Sequence, residues 1–249
     1  MTKMDEFKHS LNLVIHLTNA ADGRPIRNHR AVFLREKERF SPVYKDTGVY
    51  VMIDGEPGYF LLTAAVPGYF SQTVPVLGGS SNGELLVAEL PLIPQDNDPV
   101  NSGFHTLEGV KKGIQIVEGV EYGNWELRVK KADREEGVLT LHNPHKIMLS
   151  EARFGLIDTE KETFEPFMIA GQKNAEEIRV KVSGKDAFFE KEVKPGSPVK
   201  RIIPGMVWEE GRFIWKARGS RETDRYLLRY FSAGGEQFEK MEFCGKGGM

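Results

Sequence analysis

The spacing of apolar and polar residues predicts short β-strands along most of the chain. Residues 46–76 show the pattern best, because glycine and proline cut this segment into three apolar pieces at Gly48, at 54–58 and at Pro67-Gly68. Apolar residues alternate in the first piece, and the second holds an aromatic-rich apolar run, as in strands with a buried face. Because proline fixes φ and glycine tolerates positive φ, Pro67-Gly68 predicts the turn of a hairpin.

The same pattern continues over the C-terminal part of the chain, where helical periodicity is scarce. Short apolar segments recur about every 10 to 14 residues with Gly, Pro, Asn or Asp between them, a spacing typical of β-sandwiches. We therefore predict an all-β fold made of tandem β-sandwich modules. The candidate strands are 113–117, 125–131, 138–142, 152–157, 164–169, 178–182, 188–193, 199–203, 212–217, 225–231 and 238–243.

Residues 94–103 mark the clearest division of the chain. They combine two prolines with amide side chains and almost no apolar residues, which is typical of a linker. We assign residues 1–93 to a first β-sandwich. Residues 104–249 form a second β-rich region of one or two sandwich modules, with a weakly marked boundary near 166–175.

Three pieces of the N-terminal third carry a family resemblance. An apolar strand with Leu13, Ile15 and Leu17 leads into Asp-Gly-Arg-Pro-Ile at 22–26. Asp-Thr-Gly-Val-Tyr at 46–50, Gly-Tyr-Phe-Leu at 58–61 and Pro-Gly-Tyr at 67–69 follow, and they are similar to the paired Gly-x-Tyr strands and the Gly-Tyr turn of a known family. With these motifs, residues 8–93 resemble the carboxypeptidase-regulatory-like, or prealbumin-like (transthyretin-like), β-sandwich family. The resemblance implies a prealbumin-like N-terminal sandwich. Its motifs are turn and core residues, so it implies no particular activity.

Composition and charge narrow the functional classes. The chain has 249 residues, 40% of them apolar, with a net charge of −2, which is typical of a globular protein with substantial cores. Such a charge does not attract nucleic acid or an anionic membrane. The single cysteine, Cys244, allows no intrachain disulfide. Without a signal-peptide-like or membrane-spanning segment, we predict a cytoplasmic protein of a bacterium or phage; a leader removed before residue 1 would leave the same pattern.

Residue types that carry chemistry form no recognisable site in the sequence. His142 and His145 flank a proline turn, but metal binding needs further converging ligands, and none stands nearby at metal spacing. The glycine-rich segment 77–83 lacks the Lys-Ser/Thr of a P-loop and leads into an apolar segment, so it predicts a hairpin loop. We predict no catalytic residue, no cofactor and no metal.

Aromatic side chains give the best binding signal in the sequence. Tyr44 and Tyr69 lie in an aromatic-rich part of the first module, and Trp208 and Trp215 bracket a hairpin in the last. Exposed aromatic rings hold sugar rings or protein partners, although in strands they more often make cross-strand and core contacts. These four residues are the candidate binding residues.

The leading hypothesis is a non-catalytic structural or interaction protein that binds protein partners or further copies of itself. A component of a phage-tail-like particle is one concrete example, by analogy. The first alternative is a carbohydrate-binding accessory module. The second is an enzyme with a site at a module interface, where no short motif would mark it. A concave aromatic face would favour sugar, and a flat apolar patch would favour assembly.

Overall fold

The chain divides into two compact units, Met1–Ser102 (unit 1) and Gly103–Met249 (unit 2). The computed structural model describes residues 11–27, 30–53, 58–78, 86–95, 103–123, 127–133, 135–145, 149, 153–172, 174, 176–181, 193–219 and 223–244. Most of the predicted linker, residues 96–102, lies outside the described residues. Pro94 forms a β-bridge with Tyr69, and the Gln95 amide donates to Gly68 O at 2.8 Å. These two residues of the predicted linker therefore belong to unit 1.

Alternation of apolar residues determines which face of each strand in unit 1 is buried. Leu13, Ile15 and Leu17 are fully buried at every second position of the first strand, as the sequence pattern predicts. The strands of unit 1 are β1 (Leu11–Asn19), β2 (Val32–Arg35), β3 (Glu38–Phe40), β4 (Val43–Tyr44), β5 (Val49–Ile53), β6 (Gly58–Ala65), β7 (Gln72–Gly78) and β8 (Leu86–Leu92). Two sheets, β4-β5-β1-β8 and β3-β2-β6-β7, enclose one apolar core, so unit 1 is a β-sandwich.

Strand pairing in unit 1 confirms one predicted hairpin and corrects another. β6 and β7 pair antiparallel on either side of Pro67-Gly68, and Gly68 has a φ of 82°. In contrast, β8 pairs in parallel with β1, in the sheet that does not contain β7. The prediction that residues 77–83 form a hairpin loop is therefore wrong, because β7 and β8 belong to different sheets.

Gly48, at the predicted break before β5, is a place where two backbones approach closely. Its φ is +78°, and a Cβ there would lie 2.6 Å from the carbonyl oxygen of Leu17. The Leu17 amide donates a hydrogen bond to Gly48 O at 2.8 Å. Both the positive φ and the close contact require glycine at this position.

The β2–β3 hairpin turns on two residues that have positive φ and are not glycine. Glu36 has a φ of 49° and Lys37 a φ of 77°. These values are those of a type I′ turn, in which Asn-Gly is the common pair. The Glu36 side chain supports the turn, since its Oε1 accepts a hydrogen bond from the Leu61 amide of β6 at 2.7 Å. The turn is thus strained backbone held by a neighbouring strand.

The described residues of unit 2 form three sheets. Its strands are β9 (Phe104–Val110), β10 (Ile114–Glu121), β11 (Arg128–Asp133), β12 (Val138–His142), β13 (Arg153–Asp158), β14 (Thr163–Gln172), β15 (Glu177–Lys181), β16 (Val199–Arg201), β17 (Ile203–Pro204), β18 (Met206–Val207), β19 (Arg212–Arg218), β20 (Thr223–Ser232) and β21 (Gly235–Cys244). The sequence does not predict β9, whose residues are mostly half-buried and do not alternate clearly. Residues 188–192 of the predicted strand 188–193 lie outside the described residues.

The sheets of unit 2 form two modules. The six-stranded sheet β11-β12-β15-β14-β13-β16 has its own apolar core, and the sheets β17-β10-β20-β21 and β18-β19-β9 share another. Because β9 and β10 precede the six-stranded sheet and β17 to β21 follow it, the inserted module (128–201) interrupts the split module (104–121 and 203–244). The predicted boundary near 166–175 is wrong, because β14 runs through residues 166–172 and pairs with β13 and β15.

The prediction of an all-β fold with several sandwich modules is confirmed. The described secondary structure consists of strands in several sheets and one short 3-10 helix, Glu209–Gly211. Among the described residues, no helix is long and apolar enough to cross a membrane.

Candidate ligand cleft

A cleft of about 940 Å³ lies in unit 2 between the inserted and the split module. The inserted module contributes the tip of the β13–β14 hairpin and residues 194–198. The split module contributes side chains from β20 and β21, and residues 122–123, which directly follow its strand β10, complete this wall. The volume of the cleft lies within the range of small-molecule sites, roughly 300 to 1,000 Å³.

Aromatic and apolar side chains join the two walls. Phe164 from β14 and Phe238 from β21 line the cleft, and their rings meet edge to face with centroids 5.5 Å apart. Tyr122 and Phe238 pack against a buried cluster that takes residues from both modules. The cluster consists of Val120, Ile157, Phe164, Ile202 and Leu227. This shared core holds the two walls together, since tightly packed apolar contacts resist displacement.

Charged side chains of both signs line the cleft in equal numbers. They are Arg128, Lys161, Lys194 and Arg225, and Asp158, Glu160, Glu165 and Glu236. Such a lining offers many hydrogen-bond donors and acceptors but little net charge. It therefore suits an uncharged polar ligand better than a polyanion or a polycation.

Asp158 has a fixed orientation at the end of β13. Its Oδ1 accepts hydrogen bonds from the backbone amides of Glu160 and Lys161, both at 3.0 Å. Lys161 Nζ lies 3.6 Å from Oδ2. The hydrogen bond from the Lys161 amide contributes most to lowering the pKa of Asp158, against a smaller opposing effect of burial. The Asp158 carboxylate therefore stabilises the turn at the tip of the β13–β14 hairpin.

A chain of charged side chains leads from the interior of the split module to the cleft. Glu118 on β10 is fully buried, and its Oε1 accepts a hydrogen bond from Arg229 Nη1 at 2.5 Å. Its Oε2 lies 2.7 Å from Nη1 of Arg153, on β13 of the inserted module. Arg229 also donates through Nη2 to Oε1 of Glu236, which lines the cleft. The chain therefore links the interior, the inserted module and the wall of the cleft.

The charge of Arg229 is stabilised by its two carboxylate partners. Burial alone would lower the pKa of its guanidinium group, but hydrogen bonds to Glu236 and Glu118 outweigh burial and raise the pKa. Within the described residues, Arg229 Nε and Glu118 Oε2 are buried without a hydrogen bond. The positive charge of Arg153 offsets the charge on Oε2 without an aligned hydrogen bond.

Ion pairs join the two modules along the cleft. Each pair takes one side chain from each module: Arg153–Glu118, Lys200–Glu121 at 3.2 Å, and Glu162–Lys240. Lys240 also lies over the ring of Tyr122, with Nζ 4.6 Å from the ring centroid. The ring of Tyr122, which lines the cleft, therefore lies under a cationic side chain.

Two of the predicted binding aromatics lie in unit 1. Tyr44 and Tyr69 are half-buried and pack against the core of the sandwich. The ring of Tyr44 lies 5.0 Å from that of Tyr50. Burial, with a smaller contribution from Tyr44, raises the pKa of Tyr50 to about 12. Ligand binding by Tyr44 and Tyr69 stays a prediction.

The two predicted tryptophans have different environments. Trp215 is fully buried, its indole N–H donates to Ile203 O at 2.9 Å, and Tyr226 packs edge to face against it. The structure corrects its assignment as a binding residue, because its ring has no exposed face. Trp208 is 36% exposed, with the Arg212 guanidinium 5.8 Å from its ring centroid. It does not line the cleft, and a binding role for it stays a prediction.

The residues that form the cleft are missed by sequence reasoning because they come from distant segments. One sequence pattern does point to the linked charged side chains of Glu118 and Arg229. Glu118 and Arg229 each stand as a single charge within an apolar stretch of a predicted or observed strand. Because buried charges need partners, two lone charges of opposite sign in apolar strands indicate a buried pair.

A histidine–aspartate pair at the start of β9 is also missing from the sequence predictions. His105 Nε2 lies 2.8 Å from Asp224 Oδ2, and the Asp224 side chain is 2% exposed. His105 stacks on Phe243 with ring centroids 4.7 Å apart, and a Cβ on Gly219 would lie 2.8 Å from Nε2. With Nε2 engaged by Asp224 and one face of the ring stacked on Phe243, we interpret the pair as a packing element.

The described histidines and acidic residues do not converge on a metal. His142 ends β12 and His145 lies in the following turn. Across the described part of the chain, no group of three or more His, Cys, Asp or Glu side chains is arranged to hold a metal ion.

Comparison with known proteins places the chain in no family. No family model matches it, and no curated protein matches it. It is similar to a "putative carbohydrate binding protein" from Bacteroides uniformis, with 7% identity and a TM-score of 0.28 over 94% of this chain and 98% of that one. It is also similar to a chimeric titin Z1Z2-Z1Z2 tandem, with 11% identity and a TM-score of 0.15 over 85% of this chain and 81% of that one. At these TM-scores, neither similarity supports an argument about fold or function.

Proposed function

We propose that this protein is a non-catalytic binding protein that holds a carbohydrate in the cleft of unit 2. The observation that supports this is the lining of the cleft, in which charged groups of both signs surround the rings of Tyr122 and Phe238. Carboxylate and guanidinium groups accept from and donate to sugar hydroxyls, and aromatic rings pack against the apolar faces of sugar rings. The balance of charge favours a neutral sugar.

The state of the cleft carboxylates supports binding rather than hydrolysis. A general acid acting on a glycosidic bond needs a raised pKa. The pKa of Asp158 is lowered instead, chiefly by the Lys161 amide. Glu236 already accepts a hydrogen bond from Arg229 Nη2.

A glycan array of neutral and acidic oligosaccharides tests the proposal on the full chain. We expect binding to a class of neutral sugars, weakened about tenfold by Arg225→Ala, because a charged hydrogen-bond donor is lost. Arg225 lines the cleft, and its side chain is 57% exposed. Its Nε lies 3.4 Å from Glu242 Oε2. The matched control is Arg24→Ala in unit 1, where Arg24 is 71% exposed and 3.8 Å from Asp22.

The two variants separate the outcomes of this test. Loss of binding in Arg225→Ala with retention in Arg24→Ala supports the cleft as the site. Equal binding by both variants places the sugar elsewhere on the protein. A wild-type chain that binds no glycan rejects the carbohydrate function.

A second candidate is a structural or interaction protein that assembles through unit 1, for example in a phage-tail-like particle. The outward face of β6 favours it: Tyr59 is 71% exposed and Leu61 46% exposed, and Pro75 of β7 lies opposite Leu61. Contiguous exposed apolar residues commonly mark an interaction surface. Light scattering over a concentration series should detect an oligomer that Tyr59→Ser disrupts. A monomer at every concentration would exclude self-association.

We infer further that unit 1 is a prealbumin-like module and that the protein is cytoplasmic. The motifs at 22–26 and 67–69 support the first inference, together with the two-sheet arrangement. The single cysteine, which allows no intrachain disulfide, supports the second, because disulfides are rare in the cytosol. An experimental structure compared with prealbumin-like domains tests the module, and fractionation of the native cell tests the location.

A further inference from the structure

We propose that Glu236 accepts hydrogen bonds from two adjacent hydroxyl groups of the ligand, and that Arg229 and Glu118 are positioning residues that fix its carboxylate. The inference rests on the proposed function of the cleft as a carbohydrate site. It goes beyond that function because it names the group on the sugar, a vicinal diol, and the side chains that select it.

Glu236 lies beside an aromatic ring on the same face of β21. Residues two apart in a strand point to the same side, and both Glu236 and Phe238 line the cleft. The Glu236 side chain remains 38% exposed although Arg229 contacts it. A carboxylate next to a ring provides hydrogen-bond acceptors for sugar hydroxyls and an apolar surface for the sugar ring.

The buried charges of Glu118 and Arg229, which support Glu236, stabilise the split module little, because burying them costs hydration free energy. Glu118 is fully buried and Arg229 is 7% exposed. Apolar residues of similar size at such positions are often as stabilising or more so, because a buried ion pair loses its hydration. This series of linked charged side chains reaches the surface at Arg153, which is 41% exposed, and at Glu236 in the cleft. A role in the cleft accounts for charges that the core alone does not need.

The connection through Arg229 preorganises the Glu236 carboxylate. Arg229 is held by Glu118 through Nη1 and holds Glu236 through Nη2, so its planar group fixes the direction of the second carboxylate. A side chain that is already ordered does not lose rotamer entropy when the ligand binds. The two oxygens of one carboxylate can accept hydrogen bonds from two neighbouring hydroxyls.

Asp158 and Glu160, two other carboxylates of the cleft, are less suited to this role. Asp158 Oδ1 already accepts two backbone amides, and Lys161 lies near Oδ2. Glu160 is exposed at the tip of the β13–β14 hairpin. Among the carboxylates that line the cleft, Glu236 combines exposure to the cleft with a buried, charged support.

The test measures affinity for four neutral probes by isothermal titration calorimetry: maltohexaose, cellohexaose, xylohexaose and mannohexaose. For the tightest of them, Glu236→Gln should bind about tenfold more weakly, because a charged acceptor is lost. The matched control is Glu239→Gln. Glu239 lies on the same strand but pairs with Lys111 at 3.5 Å, and it does not line the cleft. Its affinity should equal that of the wild type.

A double-mutant cycle separates positioning from a merely structural role of Glu118. Glu118→Gln should weaken binding about threefold in the wild-type chain but have no effect in the Glu236→Gln background, because the coupling runs through Glu236. Should Glu118→Gln fail to fold, Arg229→Lys gives the same cycle, since lysine keeps the charge but not the two-armed bridge.

Each outcome bears on a distinct claim. Wild-type affinity in Glu236→Gln overturns the inference and leaves the proposed function standing. An equal loss from Glu118→Gln in both backgrounds overturns the positioning role. A wild-type chain that binds none of the four probes and no glycan on the array overturns the proposed function, and the inference with it.

Discussion

Replacing Lys37 by glycine is expected to stabilise unit 1, although glycine usually destabilises. Lys37 is exposed in the β2–β3 turn with a φ of 77°. A residue with a Cβ costs roughly 1 to 2 kcal/mol in the left-handed region, and this cost disappears in Lys37→Gly. Glycine has more conformational entropy in the unfolded chain, which reduces this gain in the free energy of unfolding by about 0.5 to 1 kcal/mol. The net expected gain in the free energy of unfolding is about 0.5 to 1 kcal/mol.

Two further variants check that backbone strain is the cause. Lys45 is exposed and is not among the residues with positive φ, so Lys45→Gly should lose about 0.5 to 1 kcal/mol. Glu36→Gly relieves the same kind of strain but removes the 2.7 Å hydrogen bond from the Leu61 amide to Glu36 Oε1. Because that bond contributes about 1 kcal/mol, Glu36→Gly should be close to neutral.

Urea unfolding followed by far-UV circular dichroism measures these differences. All three tryptophans lie beyond residue 102, so tryptophan fluorescence recorded in parallel reports on unit 2 and should not change. The reasoning is refuted if Lys37→Gly is no more stable than the wild type. It is also refuted if the two lysine-to-glycine changes shift stability in the same direction.

Two other predictions concern titration and a buried pair. Burial raises the pKa of Tyr50 to about 12 from 10.0 for an unperturbed tyrosine. The neutral Tyr50 side chain therefore contributes its full share to the free energy of unfolding below about pH 10, and this contribution is lost as the pH rises toward 12. The fall in unfolding free energy between about pH 9 and 11.5 should therefore be smaller in Tyr50→Phe; an identical fall would contradict this. Asp224→Asn should cost about 1 to 3 kcal/mol, because it weakens the 2.8 Å contact with His105. Asp133→Asn, at a side chain 38% exposed, should cost little when both variants are compared by urea unfolding; equal losses would show that the pair is unimportant.

Local features of the fold were predictable because their causes are local. The alternation of Leu13, Ile15 and Leu17 needs only the two-residue period of a strand and a buried face. The Pro67-Gly68 turn needs only the dihedral preferences of two residues. The partner of a strand is different, because backbone hydrogen bonds carry no residue code. Hence β8 could be recognised as a strand, while its parallel pairing with β1 could not.

The candidate site was less predictable than the fold. The sequence predicts Trp215 as a binding aromatic because its residue type is common on binding surfaces, yet its burial depends on which strands cover it. The cleft joins residues as distant as Tyr122, Asp158 and Glu236. Such a site has no spacing that a single segment could show.

The sequence by itself determined the all-β class, the alternation of buried and exposed positions, and the tight turns, because these follow from dihedral preferences and local periodicity. Tertiary structure alone decided which strands pair and that one module interrupts another. It also decided that Glu118, Arg153, Arg229 and Glu236 form linked ion pairs. The physical reason is that packing and electrostatic contacts depend on distance in space. In a β-protein, most of those contacts join residues far apart in the chain.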